Sequence, residues 1–274
     1  MIDKNLIAIA LAEDLQGGVD VTSVSTISAE ATSTADFTAR KAGVLAGIDM
    51  VKAVLEEVGL TDISLKKKDG DAISAGEVLL SVSGNTRAIL LAERTALNFV
   101  GHLSGIATET SKWVAAVAGT KCEVRDTRKT TPGYRQLEKY AVRMGGGTNH
   151  RMSLSDAALI KDNHIAAAGG VSQAFSAVRS AFPAAPIEIE VDTLDQLREV
   201  LPLKPDLVLL DNMSPALCKE AVAIVAGATK LEASGGISLE SARAYAESGV
   251  DYIAIGALTH SAAVLDIGLD LRAE

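Results

Sequence analysis

From about residue 115 onward, short apolar runs alternate with segments whose apolar residues recur at helical spacing, such as VSQAFSAVRSAF and SLESARAYAESG. The runs, each with a polar or charged residue at or near its end, are TKCEVRD (120–126), DAALIKD (156–162), PIEIEVD (186–192), PDLVLLD (205–211), TKLEASGG (229–236) and VDYIAIGAL (250–258). Strands that alternate with helices are typical of βαβ units in a parallel sheet. We therefore predict an α/β fold in which six or seven units close into a TIM-like (β/α) barrel. An open doubly wound sheet is the alternative.

The first hundred residues follow a different pattern. Residues 1–14 and 47–59 show helical spacing, whereas ADFTARKAGVLAG, ISLKKKDGDAI and EVLLSVSGNTRAIL resemble strands interrupted by DG, AG and GN turns. This pattern predicts a separate α+β domain. Residues 90–118 then predict one or two helices that lead into the barrel.

The predicted strands end in groups that bind or react. In a barrel of this type the active site lies at the carboxyl ends of the strands. The groups at those ends, in strand order, are Arg128 with Lys129, Lys161, Glu190, Asp211, Glu232 with Ser234-Gly235-Gly236, and Gly256-Ala257-Leu258. We expect these distant segments to meet at one rim.

Charge adds a second argument for that rim. The chain of 274 residues has a net charge of −9 at pH 7, yet cations and glycines crowd DTRKTTPGYRQLEKYAVRMGGGTNHR (126–151) and LIKDNH (159–164). Cations concentrated in an acidic chain indicate a local anion pocket, because Arg and Lys bind carboxylates and phosphates through charge-assisted hydrogen bonds. The acidic balance argues against a nucleic-acid binder, which needs a broad basic face.

Other sequence features limit the class of protein. Apolar residues make up 48% of the chain and aromatic residues only 3%, which suits helices packed on a parallel sheet. The sequence has no apolar run of the length that a membrane helix needs, and its acidic start is unlike a signal peptide. Two cysteines are too few for a disulfide framework. We expect a cytoplasmic protein that contacts neither membrane nor nucleic acid.

Two acidic positions raise the question of a metal. Glu188 and Glu190 share one face of a predicted strand, where carboxylates are costly unless cations compensate. A surface strand or a structural ion pair is the alternative for Glu190, and a helix cap or turn is the alternative for Asp211. Together Glu190 and Asp211 are a candidate magnesium site, directly or through water, since Mg²⁺ takes few carboxylates plus substrate oxygens.

The glycine segments allow two interpretations. Ser234-Gly235-Gly236 is either a plain turn or the phosphate cradle that barrels form after their last strands. Gly145-Gly146-Gly147 is either a helix stop or a close approach of the backbone to a ligand. The sequence contains no zinc pattern, Walker motif, GxGxxG or GxSxG segment.

These segments together resemble the quinolinate phosphoribosyltransferase family, whose members are the carboxylating nicotinate-nucleotide pyrophosphorylases of NAD biosynthesis. The segments that carry the resemblance are DTRKTTPG (126–133), GGGTNHR ending at Arg151, LIKDNH (159–164), EVD (190–192), LLDN (209–212), LEASGG (231–236) and AIGALTHS (254–261), with EDLQGGVDVTS (13–23) and AERTALN (92–98) in the first part. The resemblance implies an N-terminal α+β sandwich domain (1–105) and an open α/β barrel domain (106–262). It also implies that the C-terminal tail (263–274) returns to the first domain.

The resemblance also implies a reaction and its residues. Quinolinate and 5-phosphoribosyl 1-pyrophosphate would give nicotinate mononucleotide, pyrophosphate and carbon dioxide, with Mg²⁺ as cofactor. Lys129, Glu190 and Asp211 would be catalytic, and Glu190 and Asp211 would also hold the metal. Arg94 would serve the partner's site in a homodimer, with a higher oligomer as a further option. The remaining substrate-binding candidates are Thr127, Arg128, His150, Arg151, Lys161, Ser234, Gly235, Gly236, Gly256, Ala257, Leu258 and His260.

A few residues of the chain differ from the family pattern, and other functions remain as alternatives. Gln16, Met144, Ser153 and Ser155 differ from the residues expected at those positions, and none of them is a mapped charge. The rivals are a nicotinate phosphoribosyltransferase without decarboxylation, the homologue associated with molybdenum transport, another sugar-phosphate barrel enzyme, and a non-catalytic metabolite sensor. The full set of cations favours a dicarboxylate such as quinolinate over a monocarboxylate.

Overall fold

The computed structural model describes residues 2–272. The helices are α1 (Lys4–Leu15), α2 (Val21–Thr26), α3 (Ile48–Glu57), α4 (Thr86–Val117), α5 (Arg135–Met144), α6 (Asp162–Ala168), α7 (Val171–Ala181), α8 (Leu194–Val200), α9 (Pro215–Val225), α10 (Leu239–Glu247) and α11 (Ala257–His260), with a short 3-10 helix at Leu201–Leu203. The strands are β1 (Thr32–Ala39), β2 (Gly43–Val44), β3 (Asp62–Leu65), β4 (Ala72–Ile73), β5 (Val78–Asn85), β6 (Glu123–Arg125), β7 (Ala158–Ile160), β8 (Ile187–Val191), β9 (Leu207–Asp211), β10 (Lys230–Ser234), β11 (Tyr252–Ala254) and β12 (Ile267–Leu271). No helix within residues 2–272 combines the length and the apolar character that crossing a bilayer requires.

The chain divides into two compact units. The first contains the residues up to Ser111, Leu137–Gly146 and the chain from Ser261 onward. Its main sheet has the order β12-β1-β5-β3 with antiparallel pairing throughout, and β2 pairs with β4. The C-terminal strand β12 therefore lies at the edge of this sheet, against β1. The domain boundaries predicted from the sequence stay predictions.

The second unit contains Lys112–Gln136 and Gly147–His260. Its six strands are all parallel, in the order β6-β11-β10-β9-β8-β7. Neighbours in sequence are neighbours in the sheet, and the last strand, β11, returns to the first, β6. Within the described residues β6 and β7 do not pair, and only a single bridge joins Arg125 to Thr148 beside β6. This order confirms the predicted open TIM-like barrel and excludes the doubly wound alternative.

The helix that connects the two sequence patterns, α4, begins earlier than the sequence predicted. The segment predicted as strand through residue 90 ends at Asn85, and one continuous helix, α4, begins at Thr86. The side chain of Asn85 explains this boundary, because its Oδ1 accepts a hydrogen bond from the backbone N–H of Ala88 at 3.1 Å. An Asn in this position satisfies one of the free N–H groups that open every helix.

Two acidic residues lie within a buried strand of the barrel. All five residues of β8 are buried, including Glu188 and Glu190, and β8 lies between β7 and β9. This excludes the surface-strand alternative for Glu190.

Both cysteines, Cys122 and Cys218, are also buried and free. Burial raises the pKa of Cys122 to about 12 and that of Cys218 to about 11.

Candidate active site

A cavity of about 690 Å³ opens at the carboxyl ends of the barrel strands, within the second unit. A parallel barrel brings the ends of all its strands to this rim, as the sequence argument expected. The predicted residues that line the cavity are Thr127, Arg128, Lys129, His150, Arg151, Lys161, Glu190, Asp211, Ser234, Gly235 and Gly236. It is also lined by Glu232, which was expected at the rim but given no site role, and by Leu159, Asp162, Leu209, Asn212 and Ala254, which were not among the candidates.

A buried carboxylate orders the wall that carries the histidine and Arg151. Asp126, which is fully buried directly after β6, accepts the backbone N–H of His150 at 2.9 Å and the side-chain amide of Asn149 at 2.5 Å. Asp126 was not a candidate, although it follows a strand just as the chosen groups do. That position in the sequence was a sufficient signal for it.

The cations of this wall lie close enough to affect one another. Burial lowers the pKa of Arg151, and the charge of Arg128 lowers it further. Nη1 of Arg151 donates to the carbonyl of Ala157 at 2.8 Å, which fixes the guanidinium. Like charges held together in a partly buried site are stabilised when an anion binds between them.

Lys129 is held through its backbone and by a neighbouring glycine. Its carbonyl accepts the hydroxyl of Thr259 at 2.8 Å. A Cβ atom at Gly256 would lie 2.9 Å from Cδ of Lys129, so a side chain at this position would displace the lysine. Gly256 therefore leaves room for Lys129 although it is not among the residues that line the cavity.

Two carboxylates, Glu190 and Asp211, also line the cavity, and the part of the lining that they form is here called the acidic wall. Nζ of Lys161 lies 2.5 Å from Oε2 of the buried Glu190. Burial raises the pKa of Asp211, and the charge of Glu190 raises it further. The side-chain amide of Asn212 donates to Oδ2 of Asp211 at 2.6 Å. Two carboxylates thus repel each other at this wall while a single lysine neutralises one of them.

These two acids fit the requirements of a magnesium ion. Both offer carboxylate oxygens, the ligands that Mg²⁺ prefers, and their mutual repulsion would be relieved by a divalent cation. Mg²⁺ usually keeps several waters and adds substrate phosphate oxygens, so two protein carboxylates suffice. The donor set of Glu190 and Asp211 is therefore compatible with the metal predicted from the resemblance.

The glycine turn after β10 closes one side of the cavity. Gly235 has a φ of +89°, and a Cβ atom there would overlap Oδ1 of Asn212. The turn leads into α10, where Ser238 caps the helix by accepting the backbone N–H of Ser241 at 3.3 Å. A backbone turn of this kind at a helix start is suited to hold a phosphate.

Four buried or partly buried residues form a polar network at the histidine, here called the His150 network: Arg125, His150, Glu188 and Glu232. Nη1 of Arg125 lies 2.8 Å from Oε2 of Glu232, and Nε2 of His150 lies 2.8 Å from Oε2 of Glu188. The sequence analysis noted Glu188 as a carboxylate within a strand and expected Glu232 at the rim, but it assigned a site role to neither. Acidic residues inside parallel strands, which are normally apolar, were the signal for both.

The structure does not place the remaining candidates at the cavity wall. Arg94 belongs to the first unit, where it is exposed and lines a separate cavity of about 340 Å³ with residues that include Leu97 and Asn98. Leu258 is fully buried, and His260 is exposed. Neither they nor Gly256 and Ala257 are among the lining residues. The side chain of Leu258 is thus inaccessible to a ligand.

Comparison with known proteins covers both units. The family model described as "Quinolinate phosphoribosyl transferase, C-terminal domain" matches residues 106–270, and the one for the N-terminal domain matches residues 20–104. The chain is 51% identical to the nicotinate-nucleotide pyrophosphorylase [carboxylating] of Mycobacterium leprae, over 98% of this chain and 96% of that protein. It is 42% identical to the probable enzyme of the same name from Bacillus subtilis, over 98% and 93%.

A solved structure gives the same result in three dimensions. The crystal structure of nicotinate-nucleotide pyrophosphorylase from Ehrlichia chaffeensis superposes with a TM-score of 0.94 at 40% identity, covering 98% of each chain. The barrel fold and the charged lining of the cavity are consistent with these matches, which cover nearly the whole chain. The chain belongs to the quinolinate phosphoribosyl transferase family.

Proposed function

We propose that this protein transfers a phosphoribosyl group from 5-phosphoribosyl 1-pyrophosphate to quinolinate and releases pyrophosphate and carbon dioxide, which yields nicotinate mononucleotide. The observation that carries this proposal is one cavity lined by the cations Arg128, Lys129 and Arg151 together with the carboxylates Glu190 and Asp211. Both substrates are anions, and the reaction develops positive charge between them. A site that contains both cations and carboxylates can bind the anionic substrates and stabilise the positive charge that develops during the reaction.

The cations make it possible for two anionic substrates to meet. Quinolinate carries two adjacent carboxylates, and its co-substrate carries a phosphate and a pyrophosphate. Two like charges in contact near a protein surface repel by about 4 kcal/mol. Arg128, Arg151 and Lys161 would offset that repulsion for the quinolinate carboxylates, and Lys129 for the phosphates. The glycine turn Ser234–Gly236 would hold the 5′-phosphate through its backbone N–H groups.

The acidic wall would act on the bond that breaks. As pyrophosphate leaves, the ribose carbon gains oxocarbenium character, which the carboxylates of Glu190 and Asp211 would stabilise. The same two residues would hold Mg²⁺, which when bound neutralises charge on the pyrophosphate. Orientation of the pyridine nitrogen in line with the breaking bond contributes further to the rate.

The positive charge that phosphoribosyl transfer places on the pyridine ring promotes decarboxylation. Transfer makes the pyridine nitrogen cationic, and a cationic ring stabilises the electron pair that stays on the ring carbon when carbon dioxide leaves. That carbon then takes up one proton from solvent to give the product. Before transfer the neutral ring offers no comparable stabilisation. We therefore infer that transfer precedes decarboxylation, and that the cavity promotes the second step by keeping water from the departing carboxylate.

A partner subunit would complete the site. Arg94, which matches an arginine of the family that serves the neighbouring subunit, is exposed on α4. Large apolar side chains are also exposed on α1 and α2 in the same unit, with Ile9 64% and Val21 72% accessible. Exposed apolar groups of this size are suited to a subunit contact. We propose a homodimer in which Arg94 reaches the partner's cavity.

One assay tests the function. Purified protein is incubated with quinolinate, phosphoribosyl pyrophosphate and Mg²⁺, and nicotinate mononucleotide and carbon dioxide are measured. Both products should form in equal amounts, and replacing quinolinate by nicotinate should give neither. Product from nicotinate, or transfer without carbon dioxide, would refute the assignment.

A further inference from the structure

Two protein groups already engage the ring nitrogens of His150. The backbone N–H of Arg151 donates to Nδ1 at 2.7 Å, and Nε2 lies 2.8 Å from Oε2 of Glu188. A nitrogen that accepts a hydrogen bond presents a lone pair, so Nδ1 carries no proton. The ring proton is then on Nε2 and is donated to Glu188, because the bond at one nitrogen fixes the state of the other.

The rest of the His150 network stabilises the same ring orientation. Oε1 of Glu232 lies 3.5 Å from Nε2 of His150, while its Oε2 accepts Nη1 of Arg125 at 2.8 Å. The guanidinium of Arg125 stacks on the ring of Tyr252 at 3.9 Å from its centroid. Arg125 thus fixes Glu232, and Glu232 lies beside the N–H edge of the imidazole.

We propose that His150 is a neutral positioning residue, which Glu188 and Glu232 hold in its Nε2–H tautomer so that Nδ1 fixes the backbone of Arg151. Arg151 then meets the substrate anion, and His150 contributes no charge of its own. This role differs from the anion-binding role that the family resemblance implies for His150. The proposal depends on the proposed function only for the identity of the anion.

A second histidine makes a similar bond. The backbone N–H of Lys161 donates to Nδ1 of His164 at 3.0 Å. Two cationic residues of the cavity, Arg151 and Lys161, are therefore each held at the main chain by a histidine acceptor. The same type of bond at His164 supports a positioning role for His150.

Nitrogen-15 NMR on protein labelled at histidine tests the tautomer without any measurement of catalysis. The chain has four histidines, and the signals of His150 are identified by their loss in His150→Asn. At neutral pH we expect one protonated nitrogen, Nε2, and one unprotonated nitrogen, Nδ1, both before and after saturation with quinolinate. Protons on both nitrogens, or a proton on Nδ1, would overturn the proposal. Failure of the whole protein to respond to quinolinate would count against the proposed function instead.

Kinetics test the positioning step. Glu232→Ala should raise the KM for quinolinate about 10- to 100-fold, the scale for groups that orient a binding residue. The KM for phosphoribosyl pyrophosphate should change much less, and Glu232→Gln should restore most of the loss. Glu247→Gln, at an exposed carboxylate of α10 paired with Arg243, is the matched control and should change neither constant. An equal rise in both KM values in folded Glu232→Ala would contradict the proposal.

A pair of substitutions at position 150 keeps the test decisive if Glu232→Ala does not fold. Asn can place Oδ1 where Nδ1 of the imidazole was and still accept the N–H of Arg151, whereas Gln reaches toward Glu188 instead. We expect His150→Asn to bind quinolinate more tightly than His150→Gln. The reverse order, or equal weakening in both, would show that contact with Arg151 is not the role of His150.

Discussion

At the scale of single residues, the cavity depends on how each charged side chain is held. Lys161 lies against Glu190, Arg151 is fixed by Ala157, and Lys129 is anchored through its own backbone carbonyl. The sequence identified the cations because they contrast with an acidic chain. It did not identify Asp126, because the search for charge contrast favoured cations and passed over an acid that follows a strand just as the chosen groups do.

Removal of either of two cations should slow the reaction. Lys129→Ala or Arg151→Ala should each lose roughly 2–4 kcal/mol of transition-state binding, the scale for buried charge pairs, because a substrate anion is left without its partner. The measurement is kcat/KM for both substrates. Lys219→Ala, at an exposed lysine of α9, is the control. Near-normal turnover of either variant would contradict the assigned roles.

Gly235 should tolerate no side chain. Its positive φ strains any other residue, and a Cβ atom would also overlap Asn212, so Gly235→Ala should cost about 1–3 kcal/mol and weaken phosphoribosyl pyrophosphate binding. Gly227 has a similar φ of +82° with no atom within 4 Å of the added Cβ, so Gly227→Ala isolates the strain. Urea unfolding and KM measure the two effects. Equal losses of stability would mean that the contact with Asn212 is unimportant.

The stability of the protein should depend on pH through Glu232. The fold raises its pKa from 4.5 to about 7, so the fold favours the protonated form. The resulting stabilisation is fully present below pH 4.5 and is lost as pH rises through about 7. Relative to Glu232→Gln, the wild type should therefore lose up to about 3 kcal/mol of unfolding free energy across this window. Urea unfolding at several pH values checks this, and a difference independent of pH would exclude the raised pKa.

At the scale of elements, the sequence predicted the strands and helices that are determined by nearby residues. All six barrel strands lie within the predicted apolar runs, because a buried parallel strand needs a short apolar sequence and little else. The start of α4 was missed because it depends on one side-chain bond from Asn85. The pairing of β12 with β1 joins segments from opposite ends of the chain, and no local signal specifies such a partner.

The strand β12 should contribute to stability through its buried first residue, Ile267. Ile267 is 8% exposed, whereas Leu271 on the same strand is 44% exposed. Ile267→Ala should destabilise the protein by about 2–4 kcal/mol, the range for large-to-small changes in a core. Leu271→Ala should change stability by no more than about 0.5 kcal/mol. Chemical denaturation measures both, and similar losses would show that β12 is not anchored by Ile267.

At the scale of the whole molecule, sequence pattern predicted the barrel and the rim but did not single out Arg94. The cavity belongs entirely to the second unit, and Arg94 belongs to the first. An exposed arginine on a helix has no feature of its own that marks it as functional. Only the resemblance to a family assigns it to a partner's site.

Mixing two inactive proteins tests a site shared between subunits. If Arg94 serves the partner, Arg94→Ala and Lys161→Ala mixed after dissociation should recover part of the activity, because some sites then contain both intact residues. Mass spectrometry of differently tagged chains establishes that subunits have exchanged. No recovery from exchanged subunits would exclude the shared site.

The burial of both thiols makes the protein suitable for selective labelling. Because thiolates rather than thiols react with maleimides, the raised pKa values of Cys122 and Cys218 should leave the folded chain nearly inert to such dyes. Leu154 is 69% exposed in the loop that follows Arg151. A cysteine introduced there could carry a single fluorophore beside the cavity with the native thiols left in place, so that ligand binding is followed in real time.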